Sequence, residues 1–527
     1  MLDILINNGT VIDGTGNKEF KADVGVENGR IVIISSHIEQ KAVRVIDAQG
    51  LCVSPGFIDS HAHSDGSLLI NREAESKIRQ GVTTEVIGNC GLSAAPIAGE
   101  AVAEISRRMA KIELDVTWRS MKEYIDCLRE PGIAVNVVVL IGHNTIRGSV
   151  LGYKDVQPTP EEQVKMEQMV DQAMAEGARG LSTGLYYPPG YYAVTEEVIG
   201  LARVIKKYSG IYTSHIRSES DRVLDSIAEA FEVGEKAEVP VEVSHVKIEG
   251  YRNFDKLEQL LAMMNDAQTR GLTIGFDQYP YIASGTWLST ALPYWATVGG
   301  TQAIVERMKD PEIRAQLHIS WENERVEWDN RLGTRGWDEI IISDLPGHPE
   351  LLGKSIAEIA ESEGKDELET LFDLLILSNG LADAIWFTQD EEIERTLMRH
   401  PLVTIGSDGS AQRPDGILGK RKEHPRAYGT FPRVLGRYVR EEKTLTLTEA
   451  VKKMTSMTAV RFGLTDRGIL HEGACADITL FDALTIRDCA TFAEPHLYPV
   501  GIPYVIVNGQ VVIDNGQHTG ALPGQIL

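Results

Sequence analysis

The sequence predicts an α/β protein. Its centre is a closed (β/α)8 barrel, with a small β-sandwich domain built from both chain ends and an insertion between barrel strands seven and eight. Three observations predict this. Residues 56–467 alternate short β-prone runs with amphipathic helical runs. Residues 1–55 and 468–527 carry β runs and Asn-Gly turns with no helical period. Ligand-type residues recur where the runs of the central region end, and in a parallel barrel that is the face on which sites are built. An open, doubly wound sheet is the alternative reading of the same alternation.

Taken in order, the first 55 residues offer the runs Ile4-Leu-Ile-Asn-Asn-Gly-Thr-Val-Ile12, Ala22-Asp-Val-Gly-Val26 and Arg30-Ile-Val-Ile-Ile34, with Asn8-Gly9 and Asn28-Gly29 as hairpin signals. Barrel strands are expected at 56–63, 83–87, 135–142, 180–184, 210–215, 241–246, 272–278 and 402–407. Helical runs near 159–176, 195–208, 219–237, 255–270, 366–379 and 389–399 lie among them. The run from Thr159 has its start written in: Thr as N-cap, Pro160 in the first turn, then Glu161 and Glu162 against the helix dipole. Between strands seven and eight lie roughly 120 residues, far more than a connection needs. This insertion, about 285–400, holds Trp287, Trp295, Trp321, Trp328 and Trp337, and reads either as a cover beside the barrel mouth or as a structural excursion. After residue 468 the β style returns in Gly473-Ala-Cys-Ala-Asp-Ile-Thr-Leu-Phe481 and Tyr504-Val-Ile-Val-Asn-Gly-Gln-Val-Val-Ile513, with Asn508-Gly509 as a further hairpin signal.

Six residues concentrate the chemistry. His61 and His63 sit one residue apart at the end of Gly56-Phe-Ile-Asp-Ser, so period-two alternation puts both on one face. Cys90, His215, His245 and Asp408 each follow a short apolar run. A lone His-X-His is more often a surface accident than a metal site. These six at strand ends favour a shared cation over satisfied core histidines. The remaining cysteines (52, 127, 475 and 489) have no ligand-type company and read as ordinary buried or half-buried residues.

Composition narrows the classes. The chain has 527 residues, enough for a large core plus a second unit, and is 43% hydrophobic and 24% charged, as soluble globular proteins are. A formal net charge of −24 argues against nucleic acid or an anionic membrane as partner. No apolar run approaches the roughly 18–20 residues of a membrane span. The start, Met1-Leu-Asp-Ile-Leu-Ile-Asn, has no secretory pattern. Five scattered cysteines do not make a disulfide framework, so a reducing cytoplasm is the expected compartment and leaves Cys90 available as thiolate. A homo-oligomer is neither required nor excluded.

With these residues in place the whole chain resembles the amidohydrolase superfamily, and within it the N-acyl-D-amino-acid deacylases. The general likeness lies in His61-Ala-His63, in Asp408 at the eighth strand, and in the flanking Asn8-Gly-Thr-Val-Ile-Asp-Gly-Thr-Gly16 and Ala476-Asp-Ile-Thr-Leu480 segments. The narrower one lies in Gly88-Asn-Cys-Gly91, Gly180-Leu-Ser-Thr-Gly-Leu-Tyr-Tyr-Pro-Pro-Gly-Tyr-Tyr192, Thr213-Ser-His-Ile-Arg-Ser-Glu219 and His424-Pro-Arg-Ala-Tyr-Gly-Thr-Phe-Pro-Arg433. In that subgroup a cysteine stands where many relatives place a carboxylated lysine.

The resemblance implies one tight Zn2+ on Cys90, His215 and His245, bordered by His61, His63 and Asp408 around a weaker second metal position. Three protein ligands leave a place for water, the catalytic arrangement, and Asp408 would serve as general base and then acid. It implies that Lys247 and Tyr279 bind the substrate's α-carboxylate. Ser284 is a further candidate contact, although Ser284-Gly285 reverses the family's Gly-Ser order. Arg217, Tyr192 and Arg426 are additional pocket candidates, weighed against arginines that merely pin loops. For His143 a capping or structural role weighs at least as much as a catalytic one, and His424 receives no role from the sequence. The substrate implied is a small N-acyl-D-amino acid, cleaved at its linear amide. A cyclic-amide hydrolase of the hydantoinase or dihydroorotase kind and a non-catalytic scaffold on the same barrel are the competing readings. Cys90 and the Gly-Leu-Tyr-Tyr-Pro-Pro-Gly segment weigh against the former, and the complete ligand set weighs against the latter.

Overall fold

The computed structural model describes residues 1–322 and 336–527. Eight parallel strands form the central sheet: Phe57–Asp59, Val82–Ile87, Asn136–Gly142, Gly180–Gly184, Ile211–His215, Val241–Val243, Ile274–Gln278 and Val403–Ile405. They pair in chain order from the first to the eighth. Their residues are buried throughout, which is why they read as near-continuous apolar runs rather than alternating ones. The first and eighth strands meet through the chain that follows them. Asp408 N donates to His61 O (2.7 Å) and His63 N donates to Gly409 O (3.1 Å), with a parallel bridge between Ala62 and Gly409. The (β/α)8 barrel expected from the alternation is therefore present.

Several strands are shorter than their apolar runs. The first ends at Asp59, the sixth at Val243 and the eighth at Ile405. The residues beyond them leave the ladder to form the barrel mouth. His245 (φ 36°) and Asp408 (φ 50°) adopt left-handed backbone, as does Cys90 (φ 54°) after the second strand. Such conformations are uncommon for non-glycine residues and persist only where the surroundings fix them.

The helices cover the outside. Pro160–Ala175 begins as the sequence indicates, with Thr159 and Glu162 in a capping box and proline in the first turn. Thr195–Lys206, Val223–Ala237 and Leu257–Thr269 follow, the second starting later than expected because Ser218 and Glu219 belong to a loop at the mouth. Glu391–Arg399 leads into the eighth strand.

A nine-stranded sheet draws on both chain ends. Leu2–Val11, Phe20–Glu27, Arg30–Ser35, Ala42–Asp47 and Cys52–Pro55 come from one, and Ile478–Phe481, Tyr504–Val507, Gln510–Asp514 and Gln517–His518 from the other. Cys52–Pro55 and Ile478–Phe481 join the halves antiparallel. Asn28-Gly29 and Asn508-Gly509 are two-residue hairpin turns with positive φ at both positions. Asn8-Gly9 is not a turn: it is a bulge inside the first strand, where Asn8 (φ 62°) shifts the register. Gly9 is needed there because a Cβ would lie 2.5 Å from Val53.

The long connection builds its own three-stranded antiparallel sheet, Ser284–Trp287, Asp383–Trp386 and Ile340–Asp344. Ile304, Met308, Ile342, Ile356, Leu371 and Phe372 form part of a separate core there. Trp321 and Trp337 stack at 4.8 Å within it, whereas Trp287 reaches the barrel mouth, and Trp328 lies outside the described residues. Among the described residues no helix is long and apolar enough to cross a membrane.

Gly88, at the turn after the second strand, has φ +80°, and an added Cβ would lie 2.3 Å from Leu140 O. Gly88→Ala is expected to cost about 3 kcal/mol of stability, measured by urea denaturation.

Candidate metal centre at the barrel mouth

The six residues, from five separate stretches of the sequence, converge. His61, Cys90, His245 and Asp408 bring their ligand atoms within 4.8 Å of one another, and so do His215, Glu219 and His245. Cys90 Sγ lies 3.3 Å from both His61 Nε2 and His245 Nε2. His63 Nε2 lies 3.0 Å and His61 Nε2 3.5 Å from Asp408 Oδ1. The rings of His215 and His245 stand edge to face, 4.4 Å apart.

Two of the histidines are held from behind. His61 Nδ1 faces Asp277, 3.1 Å from Oδ1 and 3.2 Å from Oδ2, while Asp277 Oδ1 also accepts from His245 N (2.9 Å). His245 Nδ1 lies 2.9 Å from Glu219 Oε1 and 2.9 Å from Lys247 Nζ. A carboxylate behind the imidazole fixes which nitrogen faces the site and raises its basicity, the usual support of a metal-binding histidine. His215 differs. It is buried, Nε2 is 3.9 Å from Glu219, and neither ring nitrogen has a hydrogen-bond partner. A buried polar group without a partner is costly, and a cation shared with Cys90 and His245 would satisfy it. The donor set, one thiolate and imidazoles with an adjacent carboxylate, suits zinc.

The charges sustain one another. Burial opposes ionisation of the Cys90 thiol, but His61 and His245 outweigh it and hold the thiol well below its ordinary range. Burial likewise opposes the Asp408 carboxylate. Arg426, whose guanidinium lies 2.7 Å from Asp408 Oδ2, outweighs it and holds the carboxyl well below the usual carboxylate range. Glu219 is held low against burial by Lys247, 2.5 Å away. His63 is pushed up to about 9: burial works against its charge, and the hydrogen bond to Asp408 prevails.

These residues open on a cavity of about 330 Å3, to which His63, Cys90, His215, His245, Lys247, Ser284, Asp408 and Arg426 all contribute. Lys247 stands 5.6 Å from the Tyr279 ring centre, and the Arg426 guanidinium 4.8 Å from it. Ser284 Oγ donates to Glu249 Oε1 (3.0 Å). Arg426 also donates to Gly285 O (3.2 Å), tying the eighth-strand loop to the inserted sheet.

Two sequence-based candidates are corrected. Arg217 is turned away from the metal ligands: it donates to the carbonyls of Tyr191 (2.7 Å) and Ala193 (3.0 Å) and pairs with Glu229 (2.8 Å). Tyr192 directs its hydroxyl at Thr297 (3.2 Å) and does not line the cavity. Both belong to the support of the tyrosine-rich loop. From that loop it is Tyr187 that approaches the site, 4.7 Å from the His215 ring. His143 is paired with Glu197 (2.8 Å) inside the barrel wall, and His424 Nε2 donates to Ala283 O (2.9 Å). Sequence reasoning missed Glu219 and Asp277 as histidine supports. The signal for Asp277 was its place on the seventh strand, directly before Gln278 and Tyr279. For Glu219 there was none beyond its nearness to His215.

An eight-stranded barrel whose mouth gathers a thiolate, four imidazoles and a carboxylate belongs to the metal-dependent barrel hydrolases. The chain is a member of the amidohydrolase family, which residues 44–513 match. It is 36% identical to the D-aminoacylase of Alcaligenes xylosoxydans xylosoxydans over all of this chain and 97% of that one. It is also 36% identical to the N-acyl-D-glutamate deacylase of the same organism, over all of this chain and 96% of that one. Among solved structures it resembles the N-acyl-D-glutamate deacylase of Bordetella bronchiseptica, complexed with zinc and a phosphonate that mimics the tetrahedral intermediate. That likeness has a TM-score of 0.84 at 35% identity, with 100% and 99% of the two chains covered.

Arg217 anchors two carbonyls and a carboxylate at once. Arg217→Ala is expected to lower stability by about 2–3 kcal/mol in urea titration, with no loss of bound zinc per folded molecule.

Proposed function

We propose that the protein is a zinc-dependent deacylase that hydrolyses the amide bond of N-acyl-D-amino acids, giving a carboxylate and a free D-amino acid. One observation carries the reading. The buried Cys90, His215 and His245 adjoin Asp408 and Arg426 in a chain that matches deacylases of this kind from end to end.

Cys90, His215 and His245 would hold the tight zinc, with His61, His63 and Asp408 bordering it at a weaker second position. When bound, zinc supplies a Lewis acid that polarises the amide carbonyl and lowers the pKa of water. The protein's own groups do the rest. Asp408 is ionised at neutral pH, so it begins as a proton acceptor: it takes a proton from the attacking water and returns it to the departing amine nitrogen. Asp277 and Glu219 keep the imidazoles aimed. Lys247 and Ser284 line the cavity and would receive the substrate's α-carboxylate, Tyr279 lies behind that lining with its hydroxyl on Gln389 (3.0 Å), and Arg426 would orient Asp408.

The same cavity bears on which D-side chain is taken. Away from Lys247 and Arg426 its cations are already committed. Arg108 pairs with Glu104 (3.0 Å), Lys111 with Asp344 and Asp383 (2.7 Å each), and Arg421 with Asp344 (3.3 Å). Leu92, Ile105, Met109, Ile112 and Trp287 supply apolar wall. A carboxylate side chain would have to share those cations with the carboxylates already on them, whereas an apolar one would not. The reading therefore favours apolar D-side chains such as methionine over glutamate. The free cysteines Cys52, Cys90, Cys127, Cys475 and Cys489 agree with a reducing, cytoplasmic setting.

Zinc-loaded protein given racemic N-acetyl-methionine and racemic N-acetyl-glutamate should release D-methionine in preference to D-glutamate and neither L-amine, read by chiral chromatography. Release of the L-amine, or of neither, would reject the reading. Asp408→Asn should lower kcat about 10³-fold while zinc content by metal analysis stays the same. Chelation should abolish activity and added zinc restore it.

A further inference from the structure

Directly beneath Asp408 lies a buried lysine that the reaction does not use. Lys77, fully buried, comes from the short helix Glu75–Ile78. Its Nζ donates to Asp59 Oδ2 (2.7 Å), to Ser407 Oγ (2.7 Å) and to Gly409 O (2.9 Å). Ser407 and Gly409 are the residues on either side of Asp408. Asp59 completes the arrangement from the first strand. Its carboxylate accepts from Ser407 N (2.8 Å), Ser407 Oγ (2.6 Å) and His61 N (3.2 Å). Glu85, 3.8 Å from Lys77, continues the network to Ser64 (2.5 Å), whose hydroxyl accepts from Ala411 N (2.8 Å).

This network sits at the seam of the barrel. The sheet order begins on Phe57–Asp59 and ends on Val403–Ile405, with no ladder described between them. The chains that carry His61 and Asp408 are joined by the bridge at Ala62 and Gly409, by Ser60 Oγ donating to Ile405 O (3.2 Å) and Ser410 Oγ donating to His63 O (2.9 Å), and by these side chains. Asp408 itself has left-handed backbone (φ 50°), a conformation its neighbours must enforce.

We propose that Lys77 is a positioning residue for Asp408, setting the place of that carboxylate through the residues on either side of it, with Asp59 as its partner. The proposal rests on the deacylase reading for its kinetic consequence but not for its structural one. Lys77 touches neither the cavity nor a metal-ligating atom. A displacement of about 1 Å in a catalytic group costs on the order of 10²-fold in rate.

The test uses the full chain with zinc bound. Lys77→Met should lower kcat for N-acetyl-D-methionine about 100-fold and leave KM and zinc per molecule unchanged. A crystal structure of the variant should show the Asp408 carboxylate out of hydrogen-bond reach of His63. Because Lys77→Met alone leaves Asp59 buried and unpaired, the double variant Asp59→Asn/Lys77→Met removes both charges and should show the same loss of kcat in a better-folded protein. Wild-type kcat per zinc-loaded site in either variant would overturn the proposal, as would a loss confined to KM or to the fraction of zinc-loaded molecules. So would an Asp408 carboxylate that stays on His63. If the wild-type protein released no D-amino acid, the deacylase reading would fall, and the position of Asp408 in the variant structure would still decide the role of Lys77.

Discussion

Charge buried at the barrel mouth is the constraint on which the rest of the structure depends. Cys90, His61, His245, Glu219 and Asp408 are all withdrawn from water, where an isolated ion would cost several kcal/mol even after relaxation. None stands alone. The thiol is favoured as thiolate by two imidazoles, Asp408 by Arg426 and His63, Glu219 by Lys247 and His245. The result is a self-neutralising cluster with one conspicuous gap, the unsatisfied nitrogens of His215. That gap is what a cation at the mouth would fill.

Holding such a cluster requires the strands to stop early. A parallel strand keeps side chains perpendicular to the sheet, which suits a barrel core but cannot turn six ligands toward one point. The chain leaves the ladder after Asp59, Ile87, Val243 and Ile405. It then enters left-handed backbone at Cys90, His245 and Asp408, so that ligands from separate strands face inward. The cost of those conformations is met by local ties such as the bond from His245 N to Asp277 and the Lys77 network.

The insertion completes the mouth from one side. Its sheet brings Ser284, Trp287, Asp344 and Asp383 to the cavity wall, and its separate core lets it do so without disturbing the barrel. Arg426 links the two by bonding at once to Asp408 and Gly285 O. On the proposed reading, the charge pairs on the far wall govern what side chain can enter.

By itself the sequence determined the barrel, the six ligand-type residues and the caps and turns that start and stop elements. These are local signals: apolar runs of strand length, Thr159-Pro160, Asn28-Gly29 and Asn508-Gly509. It also exposed the family through short motifs that carry the ligands. Only the tertiary structure decided that Arg217 and Tyr192 brace a loop rather than face the cavity, because which way a loop side chain turns depends on partners such as Glu229 and Thr297 far along the chain. Only it showed that Asn8-Gly9 is a bulge, since the neighbour that crowds Gly9 is Val53. And only it gave Glu219, Asp277 and Lys77 their work. A buried carboxylate or lysine looks like any other in a sequence, and its function is set by the groups that long-range packing places within about 3 Å of it.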